Sequence, residues 1–267
     1  MPLLPLITEP SELANELDND QLIILDLRDP SSYAKAHIPN AVSFSLSEVV
    51  SSNPPIGGML PSDAKMSLAL SRIAFDKSQH IIAVDDNGGP QAARLIWTLE
   101  AYGINTVSFL NGGMTAWLSE IGAVDDTIES PQPSAYQASL IGNNHADRAY
   151  ILDQLGTTGV QLLDARTQGE YNGDDLRSER GGHIPGAIHF EWSQIKGADM
   201  KFKKTSEIQS LLDAAGFDKN KEIIAYCQTH MRSSVICLVL NALGYSVVKG
   251  YPGAWSDWGN QSDTPVE

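Results

Sequence analysis

The sequence predicts an α/β protein made of two copies of one domain, each a parallel sheet flanked by helices. Short apolar runs rich in β-branched residues alternate with helical patterns of roughly 10–15 residues, the rhythm of a buried parallel sheet. The same landmarks then recur in the same order in the second half of the chain, which marks a duplication. A length of 267 residues accommodates two units of about 130 residues, each able to bury its own core.

In the first copy, Leu22–Leu25, Ile81–Val84 and Thr106–Phe109 read as strands. Asp63–Ala74 and Gln91–Ala101 read as helices, the latter burying Leu95, Ile96 and Leu99. Gly103 follows its helix where a C′ glycine is expected, as does Gly244 in the second copy. The first domain is predicted to span residues 1–123. Residues 124–142 carry Pro131, Pro133, several serines and an acidic run, and read as a linker. The second domain takes 143–267, with Asp164 in the place of Asp26 and Cys227 in the place of Asp85.

Cys227 carries the chemistry. The apolar run Ile223–Tyr226 delivers it to a short polar loop, after which Ser233 and Ser234 open an apolar helical run. A cysteine between a strand and a helix N-terminus meets converging N–H groups and the positive end of a helix dipole. Both favour the thiolate, the nucleophilic form. Arg232 closes the loop and is expected to supply a fixed cation for an anionic substrate or leaving group. Cys237, deep in the helical pattern Val235–Leu243, reads as a core thiol. Asp85 offers no comparable nucleophile and has no loop arginine, so the first copy is expected to be catalytically silent.

Composition narrows the function classes. A formal charge of −15 argues against nucleic acids and anionic membranes, so anion specificity must be built locally. The start, MPLLPLITEP, has no basic n-region, and no stretch approaches the ~18 uncharged apolar residues of a membrane span. A cytoplasmic location is expected. Two cysteines without a CxxC spacing, and six scattered histidines, predict neither a disulfide framework nor a metal site.

These residues resemble the rhodanese family in its tandem form, the thiosulfate:cyanide sulfurtransferases. The resemblance rests on Asp164-Ala-Arg166, Gly182-His183-Ile184-Pro185-Gly186-Ala187, the Cys227 loop and GYPGAW at 250–255. The first copy adds His37-Ile-Pro39, GMLPS at 58–62, Ala93-Arg94 and NGG at 111–113. The loop CQTHMRS is similar to that of a bacterial subgroup in which a second histidine often stands at the position of Met231.

The resemblance implies two rhodanese-like domains, the C-terminal one active. It implies sulfur transfer from thiosulfate through a Cys227 persulfide to cyanide or a small thiol, with ping-pong kinetics and no cofactor. Gln228, Thr229, His230, Met231, Arg232 and Ser233 are expected to form the loop that cradles the persulfide, their N–H groups acting as an anion nest. Thr229 and His230 are placed either at the entrance, donating to sulfonate oxygens, or in shaping the loop. Glu170 is expected to line the pocket where mercaptopyruvate enzymes carry an arginine, and there to repel a carboxylate. Gln228 replaces the basic residue found beside the cysteine of mammalian thiosulfate enzymes.

Other motif residues are assigned to scaffold. Asp164 with Arg166, and Asp26 with Arg28, are expected to pair. His183 and His37 are expected to bond the turns stiffened by Pro185 and Pro39, and Trp255 and Trp258 to close the last helix. Two alternatives use the same cysteine: a 3-mercaptopyruvate sulfurtransferase, and a persulfide carrier serving a sulfur-accepting protein. A cysteine phosphatase is disfavoured, because the C-x4-R loop is one residue shorter than the C-x5-R ring that encloses phosphate. A monomer is the expected state.

Overall fold

The computed structural model of the chain describes residues 2–86 and 88–267. In chain order, the first half contains β1 (Ile7–Thr8), α1 (Pro10–Ala14), β2 (Leu22–Asp26), α2 (Pro30–Lys35) and β3 (Ala41–Ser43). A two-stranded antiparallel hairpin follows, β4 (Ser51–Asn53) and β5 (Ile56–Met59). Then come α3 (Asp63–Arg72), β6 (His80–Val84), α4 (Pro90–Ala101), β7 (Val107–Leu110) and α5 (Gly113–Glu120). The second half contains α6 (Arg148–Gln154), β8 (Val160–Asp164), α7 (Gln168–Asn172), β9 (Ile188–His189), α8 (Thr205–Ala215), β10 (Glu222–Tyr226), α9 (Arg232–Ala242), β11 (Val247–Gly250) and α10 (Ala254–Trp258).

The chain forms two compact units, and they are not the two halves of the sequence. Unit 1 comprises residues 1–50, 61–142 and 196–202; unit 2 comprises 51–60, 143–195 and 203–267. The division into 1–123, a linker at 124–142, and 143–267 therefore differs from the packing at three segments, the first being 124–142, which packs as part of unit 1. The hairpin β4–β5 belongs to unit 2, and Lys196–Phe202 belongs to unit 1.

Unit 1 is built on a parallel sheet of order β1-β7-β6-β2-β3. All five residues of β6 are buried, as a strand covered on both faces requires. Its core joins Leu13, Ile24, Ile82, Val84, Leu110 and Trp117. Segment 124–142 continues this unit as an extended stretch along α3. Ser71, Ser67 and Asp63, spaced one helical turn apart, accept in turn from the N–H groups of Tyr136, Ala138 and Leu140.

Unit 2 has a parallel sheet of order β11-β10-β8-β9. Its core includes Leu162, Ile184, Ile224, Tyr226, Trp255 and Trp258. In both sheets the chain steps one way from β2 or β8 and the other way from β6 or β10. The crevice at the carboxyl end of that switch is where open α/β sheets bind ligands. Asp85 follows β6 and Cys227 follows β10, so both stand at a switch point.

Below each crevice lies the same scaffold. Arg166 is buried with Asp164, donating Nε at 2.9 and 3.0 Å and Nη2 at 2.6 Å, and its Nη2 also reaches the Gly182 carbonyl at 2.7 Å. Arg28 repeats this with Asp26 and the Ala36 carbonyl. The histidines differ from expectation. His37 Nδ1 meets the Tyr33 carbonyl at 2.7 Å and His183 Nδ1 the Tyr171 carbonyl at 3.0 Å, both at helix ends, and not the proline turns themselves. Each imidazole stacks on the tyrosine whose carbonyl it meets.

Candidate active site

The site is built from the end of β10, the loop 227–231 and the first turn of α9. Strand β10 is buried from Ile223 onward, which fixes Cys227 at the carboxyl edge with 1% of its surface exposed. Helix α9 begins at Arg232, one residue before the expected opening at Ser233. The free N–H groups of its first turn therefore face the loop.

Burial of the Cys227 thiol acts against ionisation. The charge of Arg232, the hydroxyl and N–H of Ser233, and the N–H of Thr229 act the other way and prevail, holding the thiol below its ordinary pKa. Ser233 also bonds His230, with its Oγ 2.7 Å from Nδ1. When Ser233 gives its proton to the thiolate, the imidazole supplies the Nδ1–H that Oγ then accepts. His230 is fully buried, so of its two expected places it takes the one that shapes the loop and not the entrance. It supports Ser233 from within, holding a left-handed φ of 59° that a non-glycine residue rarely adopts.

Arg232 is not a free cation. Its Nη1 and Nη2 donate to the two carboxylate oxygens of Glu170 at 2.6 and 2.8 Å, a bidentate pair. Glu170 is 2% exposed. Burial would raise its pKa, but the hydrogen bonds and charge of Arg232, with the N–H and hydroxyl of Thr167, bring it down to about 2. The same carboxylate closes the capping box that starts α7. Glu170 is thus engaged by Arg232 and does not stand alone to repel an incoming carboxylate.

The remaining loop residues have more local partners. Gln228 turns its Nε2 to the Arg177 carbonyl at 3.0 Å and to Ser178 Oγ at 3.2 Å. Thr229 and Met231 are half-buried, and the Met231 carbonyl accepts from Ser234 Oγ. Cys237 is buried inside α9 with its Sγ 3.8 Å from the Lys249 carbonyl. Two backbone groups hold the loop from behind, one on Trp255, read from sequence only as closing the last helix, and one on Ser256, which the sequence did not single out. Trp255 N–H donates to the Cys227 carbonyl at 3.0 Å, and Ser256 N–H to the Gln228 carbonyl at 2.9 Å. The GYPGAW motif was the available signal, though it points to a turn and not to a partner.

In unit 1, Asp85 occupies the corresponding place and folds its carboxylate into the loop. It accepts from Gly89 N–H at 2.9 Å, Gln91 N–H at 3.0 Å and Ala92 N–H at 3.1 Å. Burial raises its pKa, partly offset by these three bonds and the charge of Lys196. The loop has no arginine, as the sequence shows, but a cation from outside it acts on Asp85. Lys196 does so from far along the chain, and burial lowers its own pKa to about 8.

Comparison with known proteins agrees with this architecture. A rhodanese-like domain matches twice, over residues 9–120 and 147–261. The thiosulfate sulfurtransferase of Pseudomonas aeruginosa is 37% identical over 264 residues, covering 99% of this chain and 97% of the relative. The 3-mercaptopyruvate sulfurtransferase of Escherichia coli is 29% identical over 269 residues, covering 96% and 95%. The crystal structure of an Escherichia coli 3-mercaptopyruvate enzyme superposes with a TM-score of 0.82 at 25% identity, over 96% of this chain and 99% of that one. The chain belongs to the rhodanese-like family, carries its domain twice, and has sulfurtransferases as its relatives of matching length.

Proposed function

We propose that the protein is a thiosulfate sulfurtransferase working through a persulfide on Cys227. The observation that carries this reading is a buried cysteine with a depressed pKa at the N-terminus of α9, facing the N–H of Thr229 and both the N–H and hydroxyl of Ser233. The Cys227 thiolate attacks the outer sulfur of thiosulfate. The S–S bond to the sulfonate breaks, and sulfite leaves with the bonding pair as a dianion. The new Cys–S–S⁻ keeps one negative charge, which the loop donors hold without reorganising. Cyanide or a thiolate then takes the outer sulfur and returns the Cys227 thiolate, a double displacement with ping-pong kinetics. No cofactor enters either step.

Thiosulfate is favoured over mercaptopyruvate because Glu170 engages the one loop arginine, leaving no free guanidinium there to clamp a carboxylate. The relatives named thiosulfate sulfurtransferase, at 37% and 36% identity, support the same donor. A cytoplasmic monomer is the proposed working form; among the described residues no helix is long and apolar enough to cross a membrane.

The test is the intact mass of the protein before thiosulfate, after it, and then after cyanide. The expected result is one added sulfur on Cys227, removed by cyanide as thiocyanate forms. It should vanish in Cys227→Ala and persist in Cys237→Ala. A gain with mercaptopyruvate but none with thiosulfate would replace the donor. Loading only from a protein persulfide would make the protein a carrier.

A further inference from the structure

We infer that Gly58, at the edge of the β4–β5 hairpin, is a positioning residue that aims the N–H groups of the Cys227 loop. The inference rests on Cys227 as the sulfur-bearing nucleophile.

In a trans peptide the carbonyl and the following N–H point in opposite directions. The Gln228 carbonyl is held on the first turn of α10 by Ser256 N–H at 2.9 Å. The N–H of Thr229, on the other side of that peptide plane, is therefore turned toward Sγ, where it helps depress the thiol pKa. The preceding carbonyl, of Cys227, is held the same way by Trp255 N–H. The next one, of Thr229, faces Gly58. A Cβ built on Gly58 would overlap the Thr229 oxygen and lie 3.0 Å from the Pro252 oxygen. Gly58 also has a φ of 71°, which L side chains rarely adopt. No other residue fits between these carbonyls.

The hairpin is fastened at the same point. Gly57 N–H donates to Ser256 Oγ at 3.0 Å, while that hydroxyl donates to the Gly253 carbonyl at 2.8 Å. Ser256, 4% exposed, thus grips the loop with its backbone and the hairpin with its side chain. Two successive peptide units of the loop are fixed from behind by α10, and the carbonyl of the third lies against Gly58 of a hairpin encoded far upstream.

The experiment titrates the Cys227 thiol by its rate of iodoacetamide alkylation against pH. It uses the full chain in a Cys237→Ala background, so that one thiol is read. Gly58→Ala should move the acid limb up by about one pH unit, cutting alkylation at pH 7 about tenfold. Ser256→Ala, which keeps its backbone bond and loses the hairpin tether together with the hydroxyl's bond to the Gly253 carbonyl, should shift it less in the same direction. Gly216→Ala, another positive-φ glycine of unit 2 whose added Cβ meets nothing within 4 Å, should leave the titration unchanged.

A folded Gly58→Ala protein that titrates like the parent would overturn the inference. If Gly58→Ala does not fold, a parental titration in Ser256→Ala would overturn it instead. Alkylation needs no sulfur donor. A protein that takes no sulfur from thiosulfate while Gly58→Ala still shifts the limb would sink the donor assignment and leave Gly58 in its role.

Discussion

The loops after β6 and β10 are the same backbone device carrying different side chains. Each leaves a buried strand at a switch point, turns into the N-terminus of a long helix, and is held from behind by a second helix. Met114 N–H binds the Asp85 carbonyl at 2.9 Å, as Trp255 N–H binds that of Cys227. A Cβ on Gly113 would overlap that Asp85 carbonyl, so both units bring a glycine against a loop carbonyl. What differs is the side chain. Unit 1 fills its nest with its own carboxyl group, while unit 2 turns its nest toward the Cys227 thiol. A nest of N–H groups is therefore not a catalytic site in itself. Its first side chain decides whether it is filled by the chain's own carboxyl group or turned toward a thiol.

Moving the cysteine tests this most severely. Cys227→Ala should lower sulfur transfer by on the order of 10³-fold or more in steady-state assays. Adding Asp85→Cys to that protein should restore less than about 1% of the rate, because the first nest lacks the Arg232–Glu170 pair. A larger recovery would mean that the backbone cradle alone suffices.

Cutting that pair gives the next effect. Glu170→Gln removes the anion that balances Arg232, so the thiol pKa should fall and the acid limb of kcat/KM move to lower pH. The rate above the limb should drop about tenfold as the guanidinium loses its bidentate hold. Arg232→Gln should move the limb the other way. Stability supplies a second readout. Glu170 is depressed in the folded protein, so its contribution is complete above its unfolded pKa near 4.5 and is lost as pH falls toward about 2. Glu170→Gln should flatten thermal stability across that window, and an unchanged slope would remove Glu170 from the account.

The smallest effect tests the silent loop. Asp85→Asn keeps the shape but turns an amide group toward N–H donors that now meet a carboxylate. It should cost about 2 kcal/mol of stability by chemical denaturation while leaving sulfur transfer within twofold. A large loss of activity would give unit 1 a catalytic role.

The strands, the long helices and the position of Cys227 were legible in the sequence because they rest on local signals. An apolar β run, a polar loop and an apolar helical run fix the geometry around Cys227, and the duplication repeats it around Asp85. The buried Asp164–Arg166 pair was equally accessible, since two residues separated by one position can meet through their own turn.

The partners from elsewhere in the chain were not legible. Arg232 read as a fixed cation for an anionic substrate, and its own partner, Glu170, stands 62 positions away. For His230 the sequence left open an entrance role and a loop-shaping one, because a polar loop side chain can face either way. Its positive φ turns it inward to Ser233. Lys196 and Gly58 each belong to the unit opposite to their place in the sequence. By itself the sequence determined the fold class, the duplication and the place of Cys227 between a buried strand and a helix, all of which follow from residue order over a few turns. Only the tertiary structure decided which charge is balanced, which carbonyls are held and which residue fills each nest. Those depend on groups brought together by packing, and residue order carries no record of that distance.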